Sequence, residues 1–440
     1  MRVILIGKAS GRLDCLAEAI ERSHHVELFI LTNYESASLR RKGFVTIGAT
    51  DSPDSVQNFA QTIKDGPTLA IISNEEPLAR GVADVLRELG IATVGPSQAA
   101  AQIETSKIWT RKMLVKYDLD RYSPEWGDFI DGERDFMAGF IRMLDNQGKL
   151  VVVKPEGLTG GKGVRVQGDH FDTITYAVAY GHEILEAHGH VLIEARLDGE
   201  EFSRMCFSDG ITVVPIPAVQ DHKRLKEGDK GINTGGMGSY SDIDHSLPFL
   251  SPYDLKTADW LNEKVIRMIE AETGDPYIGI LYGNFMATAQ GVKLIEYNAR
   301  FGDPEVMNVL PLLQNDFVDL SFAVATGHLA NIDIRFSHRA TVCKYLIPEN
   351  YPEYVEGDFI NASWVEPHPD LRIYWGAVNG ERLTGSRALA VVGLGDTIAE
   401  AEAIAERAAQ QVRGPVRHRK DIGSADLIAR RIEHMKELRS

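Results

Sequence analysis

The sequence has few cysteines, no membrane-length apolar run and no excess of basic residues. Its three cysteines (Cys15, Cys206 and Cys343) are far apart, and none belongs to a C-x-x-C pair. This spacing argues against disulfides and zinc, and it predicts buried, reduced thiols. No apolar run approaches the roughly 18 residues that a membrane helix needs. The net charge of −16 disfavours a nucleic-acid surface, so we expect a globular protein that acts on small molecules.

The length of the chain and its first residues indicate the number of domains and the cellular location to expect. At 440 residues the chain is too long for one hydrophobic core, and about three domains are expected. Residues 1–7 enter directly into a buried-strand pattern, so we expect no cleaved signal and a cytoplasmic location. The sequence leaves the oligomeric state open between a monomer and a homodimer.

One segment, VKLIEYNARFGDPE at residues 292–305, is the most informative in the chain. It begins as an apolar strand, and Glu296, Asn298 and Arg300 then fall at alternate positions, which places them on one face. Carboxylate and amide oxygens suit Mg²⁺, which proteins usually hold together with substrate phosphates. Arg300 could bind a phosphate or acyl-phosphate oxygen with two hydrogen bonds. The alternative is an edge strand with its polar residues facing outward, but we predict a metal–phosphate site.

The first 95 residues alternate apolar strands (3–6, 27–31, 69–73 and 92–95) with helical segments, which predicts a parallel α/β sheet. The sequence GKASG at 7–11 occupies the first strand-to-helix turn, where ligands usually bind on such sheets. It lacks the G-x-G-x-x-G spacing, and Asp14 is too close to serve a dinucleotide ribose, so a nicotinamide-dependent enzyme is disfavoured. Ser97 predicts the N-cap of a long helix that reaches about Lys116.

The pattern changes beyond residue 121 to a smaller α/β unit with strands at 150–154 and 190–195 and a helix near 173–187. Strands dominate residues 200–300, with an amphipathic helix near 254–272. Further strands follow residue 327, and then a helix at about 397–411. A long polar loop is expected at 220–240, and its mixture of acids, bases and glycines favours a role in holding substrate.

Residues 154–164, KPEGLTGGKGV, form a glycine-rich connection between two strands. Four glycines would let the backbone fold closely over an anion, although many such hairpins bind nothing. The segment is no Walker A loop, so a hairpin that closes over a triphosphate fits better. Lys154 follows three valines, and a lysine is rarely found in such a strand unless an anion meets it.

The segment IEARLDGEE at 193–201 follows the next strand. Backbone groups at 195–197 could hydrogen-bond an adenine edge, and Glu201 could accept hydrogen bonds from ribose hydroxyls. An acidic, solvated turn is the alternative at this position.

These segments together resemble the ATP-grasp carboxylate–amine ligases, and closely the phosphoribosylamine–glycine ligase (glycinamide ribonucleotide synthetase) family of purine synthesis. The matching segments follow the family order over most of the chain. They are NEEPL at 74–78, GPS at 95–97, TSK at 105–107, GGKG at 160–163, DGEE at 198–201, QDHKR at 220–224, NTGGMG at 233–238, EYNARFGDPE at 296–305 and RKDIG at 419–423.

The resemblance implies a multidomain α/β protein with an ATP-grasp fold. Its parts would be an N-terminal parallel α/β (pre-ATP-grasp) domain at 1–103, a central ATP-grasp domain at 104–120 and 191–327, a small lid subdomain at 121–190, and a C-terminal α/β domain at 328–440. ATP is then expected between the lid and the central sheet. Closure of the lid would exclude water from a reactive acyl phosphate.

The resemblance also implies the ligands and the residues that meet them. The expected cofactors are ATP and Mg²⁺ or Mn²⁺, and the expected substrates are glycine and 5-phosphoribosylamine, joined through glycyl phosphate. The nucleotide would meet Lys107, Lys154, Gly160, Gly161, Lys162, Gly163, Glu194, Leu197 and Glu201, and the metal would meet Glu296 and Asn298. The substrates would meet Gly11, Arg12, Asp221, Asn233, Thr234, Gly235, Gly236, Arg300 and Asp303. Arg300, Lys154 and Asp221 would be the catalytic groups.

One departure from the family pattern lies at the first turn, where G-x-G-G-R-E-H-A is usual. Gly11 and Arg12 are retained, but Leu13 and Asp14 replace the Glu-His pair. The helix N-terminus still favours a phosphate, and Asp14 is expected to replace part of the lost contact. We therefore expect the phosphoribosyl substrate to bind roughly 1–3 kcal/mol more weakly than with the full set of hydrogen bonds.

Two alternatives remain at this point. One is an ATP-grasp ligase that uses a different amine, which the altered first turn encourages. The other is a non-catalytic nucleotide-binding protein. The intact set of Lys154, Glu296, Asn298 and Arg300 argues against the second alternative, because a protein without catalysis need not keep both metal ligands.

Overall fold

The computed structural model of the protein describes residues 1–158, 163–353 and 357–440. Its N-terminal region is a five-stranded parallel sheet with the order β3-β2-β1-β4-β5, as the alternating pattern predicts. Its elements are β1 (Arg2–Ile6), α1 (Gly11–Glu21), β2 (Glu27–Thr32), α2 (Ala37–Lys42), β3 (Phe44–Ile47), α3 (Pro53–Thr62), β4 (Leu69–Ile72), α4 (Glu75–Ala79), α5 (Val82–Glu88) and β5 (Ala92–Val94). The sequence reading missed β3, a largely exposed edge strand without a clear apolar pattern.

The predicted long helix from Ser97 to Lys116 is wrong. Two helices occupy this region, α6 (Gln102–Thr105) and α7 (Lys107–Lys116), and they are separated by Ser106 in an extended conformation. The Ser106 Oγ accepts a hydrogen bond from Trp109 N at 3.0 Å, so a second N-cap interrupts the helix. The interruption makes Lys107 the first residue of α7.

A small subdomain follows, with its own hydrophobic core. Its elements are β6 (Trp126–Ile130), α8 (Arg134–Asn146), β7 (Val151–Pro155), β8 (Arg165–Val166), α9 (Ile174–His188) and β9 (His190–Ala195). The strands form an antiparallel sheet with the order β6-β9-β7-β8. Val151 and Val153 lie in the core, and therefore Val152 and Lys154 lie on the opposite face of β7.

The central region is an antiparallel sheet with the order β11-β10-β16-β17. The elements from residue 199 onward are β10 (Gly199–Asp209), β11 (Val213–Pro215), β12 (Gln220–Asp221), β13 (Arg224–Lys226), β14 (Lys230–Asn233), β15 (Gly238–Ser241), α10 (Pro252–Thr273), β16 (Ile278–Thr288), β17 (Gly291–Asn298), α11 (Val306–Val309) and α12 (Phe317–Ala325). The segment predicted as one long loop contains four short strands, because β13 and β14 pair as a hairpin and β12 pairs with β15.

The C-terminal region completes a sheet with the order β12-β15-β18-β22-β19. Its elements are β18 (Ala340–Pro348), β19 (Leu371–Trp375), β20 (Val378–Asn379), β21 (Arg382–Leu383), β22 (Leu389–Gly395), α13 (Ile398–Gln411), β23 (Val416–Arg417) and α14 (Ala425–Arg439). Short 3₁₀ turns occur at Asp120–Tyr122, Asp131–Glu133, Leu310–Leu312 and Leu329–Asn331. Because β12 and β15 join this sheet, the polar segment at 220–241 connects the central and C-terminal regions. The domain boundaries read from the sequence stay a prediction.

None of the helices in the described part of the chain has the length and apolar character that a membrane crossing requires. All three cysteines are buried and unpaired, as expected.

Candidate functional site

A cavity of about 660 Å³ lies where the N-terminal, small, central and C-terminal regions meet. The predicted site residues in its wall are Arg12, Lys107, Lys154, Glu194, Leu197, Glu201, Asp221, Asn233, Thr234, Gly235, Glu296, Asn298, Arg300 and Asp303. Gly11, Gly163 and Gly236 lie beside wall residues in the sequence but are not part of the wall itself. The predicted contacts of Gly160, Gly161 and Lys162 fall outside the described residues.

A buried cluster of charges holds Lys154 in place. The Glu194 carboxylate accepts from Arg111 Nε at 2.8 Å and pairs with Lys154 Nζ at 2.6 Å, and all three side chains are less than one-tenth exposed. Burial acts to raise the pKa of Glu194, but Arg111 and Lys154 outweigh it and lower that pKa. Glu194 is therefore an anion between two cations. Its carboxylate fixes Lys154 at the cavity wall, and the predicted contact of Glu194 with the nucleotide stays a prediction.

Arg111 is held by an irregularity in strand β17. Strand β17 carries a bulge at Ile295, because Asn284 pairs with Glu296 while Phe285 pairs with Leu294. A bulge leaves a backbone group outside the ladder, and Arg111 Nη2 donates to Ile295 O at 2.7 Å. The sequence reading missed Arg111, although it lies four residues after Lys107 in α7 and thus on the same helix face.

Lys107 reaches the glycine-rich segment. Its Nζ donates to Gly157 O at 2.7 Å. Burial lowers the pKa of Lys107, and the charge of Glu296 opposes that shift. The first residue of α7 therefore lies near both the start of the predicted phosphate loop and the predicted metal ligand.

Glu296 and Asn298 could supply two oxygen ligands to a divalent cation. Burial acts to raise the pKa of Glu296, but the charges of Lys223, Lys154 and Lys107 lower it, so the carboxylate is ionised at neutral pH. Within residues 1–158, 163–353 and 357–440, no group of three His, Cys, Asp or Glu side chains could hold a metal ion by itself. A metal here would therefore need oxygens from a bound phosphate as well, which is the usual situation for Mg²⁺.

Arg300 lies beside this pair and is anchored from the N-terminal side. Its Nη2 donates to Asn298 Oδ1 at 3.0 Å and lies 3.1 Å from Glu104 Oε1, and its Nε donates to Glu75 Oε2 at 3.2 Å. Burial raises the pKa of Glu104 to about 7, whereas Arg300 and Arg12 outweigh burial at Glu75 and lower its pKa to about 2. Glu75 belongs to the NEEPL segment, but the sequence reading did not identify Glu104 as a partner of Arg300.

Arg12 lies in the cavity wall, but the neighbouring first-turn residues do not. Arg12 Nη1 donates to Phe301 O at 2.9 Å, and its buried Nε has no hydrogen-bond partner among the described residues. Gly11 packs tightly, since a Cβ there would lie 2.3 Å from the Tyr345 hydroxyl. The first turn therefore contributes the Arg12 guanidinium to the cavity wall, with its Nη2 3.7 Å from Glu75 Oε2.

The expectation that Asp14 replaces a lost substrate contact is wrong. Asp14 is a buried residue of α1, and its carboxylate accepts from Lys42 Nζ at 2.7 Å, Ser38 Oγ at 3.0 Å and Trp375 N at 2.9 Å. Leu13 is fully buried in the core. Since neither residue lies in the cavity wall, they give no structural reason for weaker binding of a phosphoribosyl group.

Residues 233–235 and Asp221 form the side of the cavity next to the C-terminal sheet. Asp221 Oδ1 accepts from His222 N at 2.7 Å, and a Cβ at Gly236 would lie 2.7 Å from that oxygen. Burial raises the pKa of Asp221 well above its ordinary value, and the nearby Glu305 adds to the shift. Asp221 is thus a carboxyl group that takes up a proton more readily than an ordinary aspartate.

Arg387 from the C-terminal region fixes this segment and was missed in the sequence. It donates to the carbonyl oxygens of Gly235, Gly236 and Asp303, and its Nη2 lies 3.2 Å from Asp303 Oδ2. Tyr345 donates to the other Asp303 oxygen at 2.6 Å. The predicted substrate residue Asp303 is therefore held by two residues of the C-terminal region.

Glu201 lies beside Gln220, whose Nε2 donates to the Glu201 backbone oxygen at 3.0 Å. Its carboxylate accepts from Lys223 Nζ and from Asn284 Nδ2, the latter at 2.7 Å. Helix α14 adds Arg431 and His434 to the wall, three residues apart on one face. Both contact Glu200, with His434 Nδ1 at 2.7 Å and Arg431 Nη1 at 3.1 Å. The sequence reading missed both residues.

Comparison with protein families gives three matches in chain order. Residues 1–104 match the phosphoribosylglycinamide synthetase N domain, residues 105–306 match its ATP-grasp (A) domain, and residues 341–425 match its C domain. The phosphoribosylamine–glycine ligase of Methanosarcina barkeri is 45% identical over 447 residues, and that of Methanocaldococcus jannaschii is 42% identical over 454 residues. Both alignments cover 100% of this chain and 100% of the relative.

Solved structures show the same architecture. The phosphoribosylamine–glycine ligase of Thermotoga maritima superposes with a TM-score of 0.77 at 25% identity, covering 96% of this chain and 100% of that chain. The biotin carboxylase domain of the 2-oxoglutarate carboxylase of Hydrogenobacter thermophilus gives a TM-score of 0.72 at 13% identity, covering 100% and 98%. The second likeness shows the ATP-grasp fold alone. With all three family domains matched in order and relatives aligned from end to end, the chain belongs to the phosphoribosylglycinamide synthetase family.

Proposed function

We propose that this protein joins glycine to 5-phosphoribosylamine, with ATP as the energy source, to give glycinamide ribonucleotide, ADP and phosphate. The observation that carries the proposal is the convergence of three groups of residues on one cavity. Lys107 and Lys154 suit nucleotide phosphates, Glu296 and Asn298 suit a divalent cation, and the walls formed by Arg12, Arg300 and residues 233–235 suit the substrates.

The charge around the cavity supports this proposal. The chain as a whole is acidic, with a net charge of −16, yet Lys107, Lys154, Lys223, Arg12, Arg300 and Arg387 all line this cavity. Asp and Glu side chains line the cavity as well, so the support comes from individual cations placed at the wall and not from a net positive charge. The triphosphate, the glycine carboxylate and the phosphoribosyl phosphate are all anions, and the reaction requires them side by side.

In the first step the glycine carboxylate attacks the γ-phosphorus, and ADP leaves. Lys107 and Lys154 are assigned to the triphosphate, because both end at the cavity and Glu194 holds Lys154 in a fixed position. Arg300 is assigned to the glycine carboxylate and the acyl phosphate formed from it. A divalent cation, held by Glu296, Asn298 and phosphate oxygens, would offset the charge on the transferring phosphoryl group. The family implies ATP and a divalent metal, while the choice between Mg²⁺ and Mn²⁺ is part of the proposal.

In the second step the amine nitrogen of 5-phosphoribosylamine attacks the acyl carbon, and inorganic phosphate leaves. The nitrogen must lose a proton as the amide forms, and we assign Asp221 to receive it. Arg12, the first-turn residue that lies in the cavity wall, is assigned to the phosphoribosyl phosphate. These steps depend mainly on alignment and charge stabilisation, so positioned side chains carry most of the catalysis.

A ligase with a different amine substrate was the main alternative, and it rested on the altered first turn. That support is gone, because Leu13 and Asp14 do not reach the cavity. A non-catalytic nucleotide-binding protein is disfavoured by the ionised Glu296 beside three lysines. A cytoplasmic location and a monomeric or homodimeric state accompany the proposal as predictions.

The test is an assay of ADP release with ATP, Mg²⁺, glycine and freshly prepared 5-phosphoribosylamine, with product identified by mass spectrometry. We expect release that requires both glycine and the amine and yields one glycinamide ribonucleotide per ADP. Release no faster than in the amine-free control would overturn the proposal. Release with other amines from a panel, but not with 5-phosphoribosylamine, would favour the different-amine ligase.

A further inference from the structure

The hairpin formed by β13 and β14 lies between the small subdomain and the substrate side of the cavity. From this hairpin Arg224 crosses to the turn that follows β8. Its Nη2 donates to Asp169 Oδ2 at 2.5 Å, and its Nη1 lies 2.9 Å from His170 Nε2. The same Nη1 donates to Gly231 O at 3.0 Å, so the guanidinium is braced within its own hairpin.

The turn that receives Arg224 is rigidly joined to the strand that carries Lys154. Asp169 N and His170 N both donate to Val166 O, at 3.2 and 2.9 Å, which closes a tight turn directly after β8. Strand β8 pairs with β7, where Val152 is opposite Val166. A displacement of Asp169 would therefore move β7 and Lys154 with it, because paired strands move as a unit.

Arg224 is also connected, through its neighbour Lys223, to the proposed substrate residues at 233–235. Its neighbour Lys223 contacts Glu201, and the carbonyl oxygen of Lys223 accepts from Thr234 N at 2.7 Å and Thr234 Oγ1 at 2.9 Å. Arg419 of the C-terminal region donates to the carbonyl oxygen of Arg224 at 3.0 Å. Two consecutive residues thus connect the small subdomain, the substrate segment and the C-terminal region.

We propose that Arg224 is a positioning residue that, through Asp169, sets the position of the small subdomain relative to the substrate segment at 233–235. This inference rests on the proposed function for its catalytic consequence. When the link is intact, Lys154 and the acceptor amine are aligned around the acyl phosphate. When it is broken, water replaces the amine: it attacks the acyl carbon, glycine and phosphate are released, and the net reaction is hydrolysis of ATP to ADP and phosphate.

The test compares Arg224→Ala and Asp169→Asn with the unaltered full-length chain. Two quantities are measured: product formed per ADP released, and backbone hydrogen exchange in peptides that cover 163–173. We expect the product per ADP to fall by about tenfold, the change that loss of one charge-assisted hydrogen bond implies. Exchange at 163–173 should become faster in both variants. The double variant should lose less than the sum of the two single losses, because the two residues share the Arg224–Asp169 contact while each also has other partners. Arg224→Lys should restore part of the coupling.

Lys226→Ala is the matched control, because Lys226 lies in the same strand and its side chain is exposed. It should change neither quantity. The inference is overturned if Arg224→Ala leaves both quantities unchanged, or if coupling falls while exchange at 163–173 does not change. If the unaltered chain shows no glycine-dependent ADP release, the proposed function fails, and the exchange measurement alone then decides whether Arg224 positions the subdomain.

Discussion

Replacement of Glu194 by glutamine should destabilise the protein strongly, and a bound nucleotide should relieve much of that loss. Glu194 lies between Arg111 and Lys154, and the exposed fractions of the three side chains are 4%, 3% and 9%. The amide of glutamine can still accept from Arg111, but it carries no charge. Lys154 is then left as a buried cation without its counter-charge. Removal of one partner from a buried ion pair costs about 3–5 kcal/mol, so we expect a loss near the lower end of that range.

The assay is urea unfolding followed by circular dichroism and tryptophan fluorescence, with and without saturating ADP and Mg²⁺. Trp126 is useful here because it is directly opposite Glu194 in the sheet. If Lys154 meets a nucleotide phosphate, the ligand supplies the missing negative charge, and the difference between Glu194→Gln and the unaltered chain should shrink to about 1 kcal/mol. The control is Glu186→Gln, an exposed position on α9, which should change stability by less than about 0.5 kcal/mol.

Two results would refute this reasoning. A loss below about 1 kcal/mol without nucleotide would mean that the cluster does not depend on the charge of Glu194. A large loss that nucleotide leaves unchanged would mean that Lys154 does not meet a phosphate.

Three further predictions concern other parts of the molecule. Combined Glu296→Gln and Asn298→Ala replacement should abolish turnover but leave most adenosine binding, because a metal matters most as charge develops on the phosphoryl group. Full activity of this double variant at limiting Mg²⁺ would contradict the assignment of the two residues as metal ligands. Arg12→Ala should raise the concentration of 5-phosphoribosylamine that the enzyme requires, without changing its dependence on ATP or glycine. Asp14→Asn should lower the free energy of unfolding by about 1–3 kcal/mol and leave the 5-phosphoribosylamine requirement unchanged. Steady-state kinetics with each substrate varied in turn separates the two variants. Burial acts to raise the pKa of Glu406, but His418 and Lys344 lower it from 4.5 to about 2, so its contribution to stability is present above pH 4.5 and is lost as the pH falls toward 2. Glu406→Gln should therefore reduce the free energy of unfolding at pH 7 but have little effect near pH 2, and equal effects at both values would contradict this.

The sequence by itself determined the elements and residues whose properties are local. Alternation of apolar runs predicted strands β1, β2, β4 and β5, since a buried parallel strand needs an uninterrupted apolar segment. The spacing of Glu296 and Asn298 predicted that both lie on one face of a strand, because side chains alternate along a strand, and both line the cavity. Arg300 lines the same cavity, although it lies two residues beyond the end of β17. Lys154 was recognisable because a lysine after three valines needs an anion, and the structure supplies Glu194.

Only the tertiary structure decided which distant residues share the cavity and what each charge is paired with. Arg387, Arg431 and His434 reach the wall from the C-terminal region, and no local pattern marks an arginine or histidine for that place. Asp14 was predicted to be a substitute substrate ligand because it stands in the place of the family's Glu-His pair. Its carboxylate instead contacts Lys42 and Trp375. Arg12 and Asp14 are two residues apart in α1, and side chains with that spacing do not share a helix face. Buried charges must be paired across the fold, so the partners of Asp14 and Glu194 depended on contacts that the sequence could not specify.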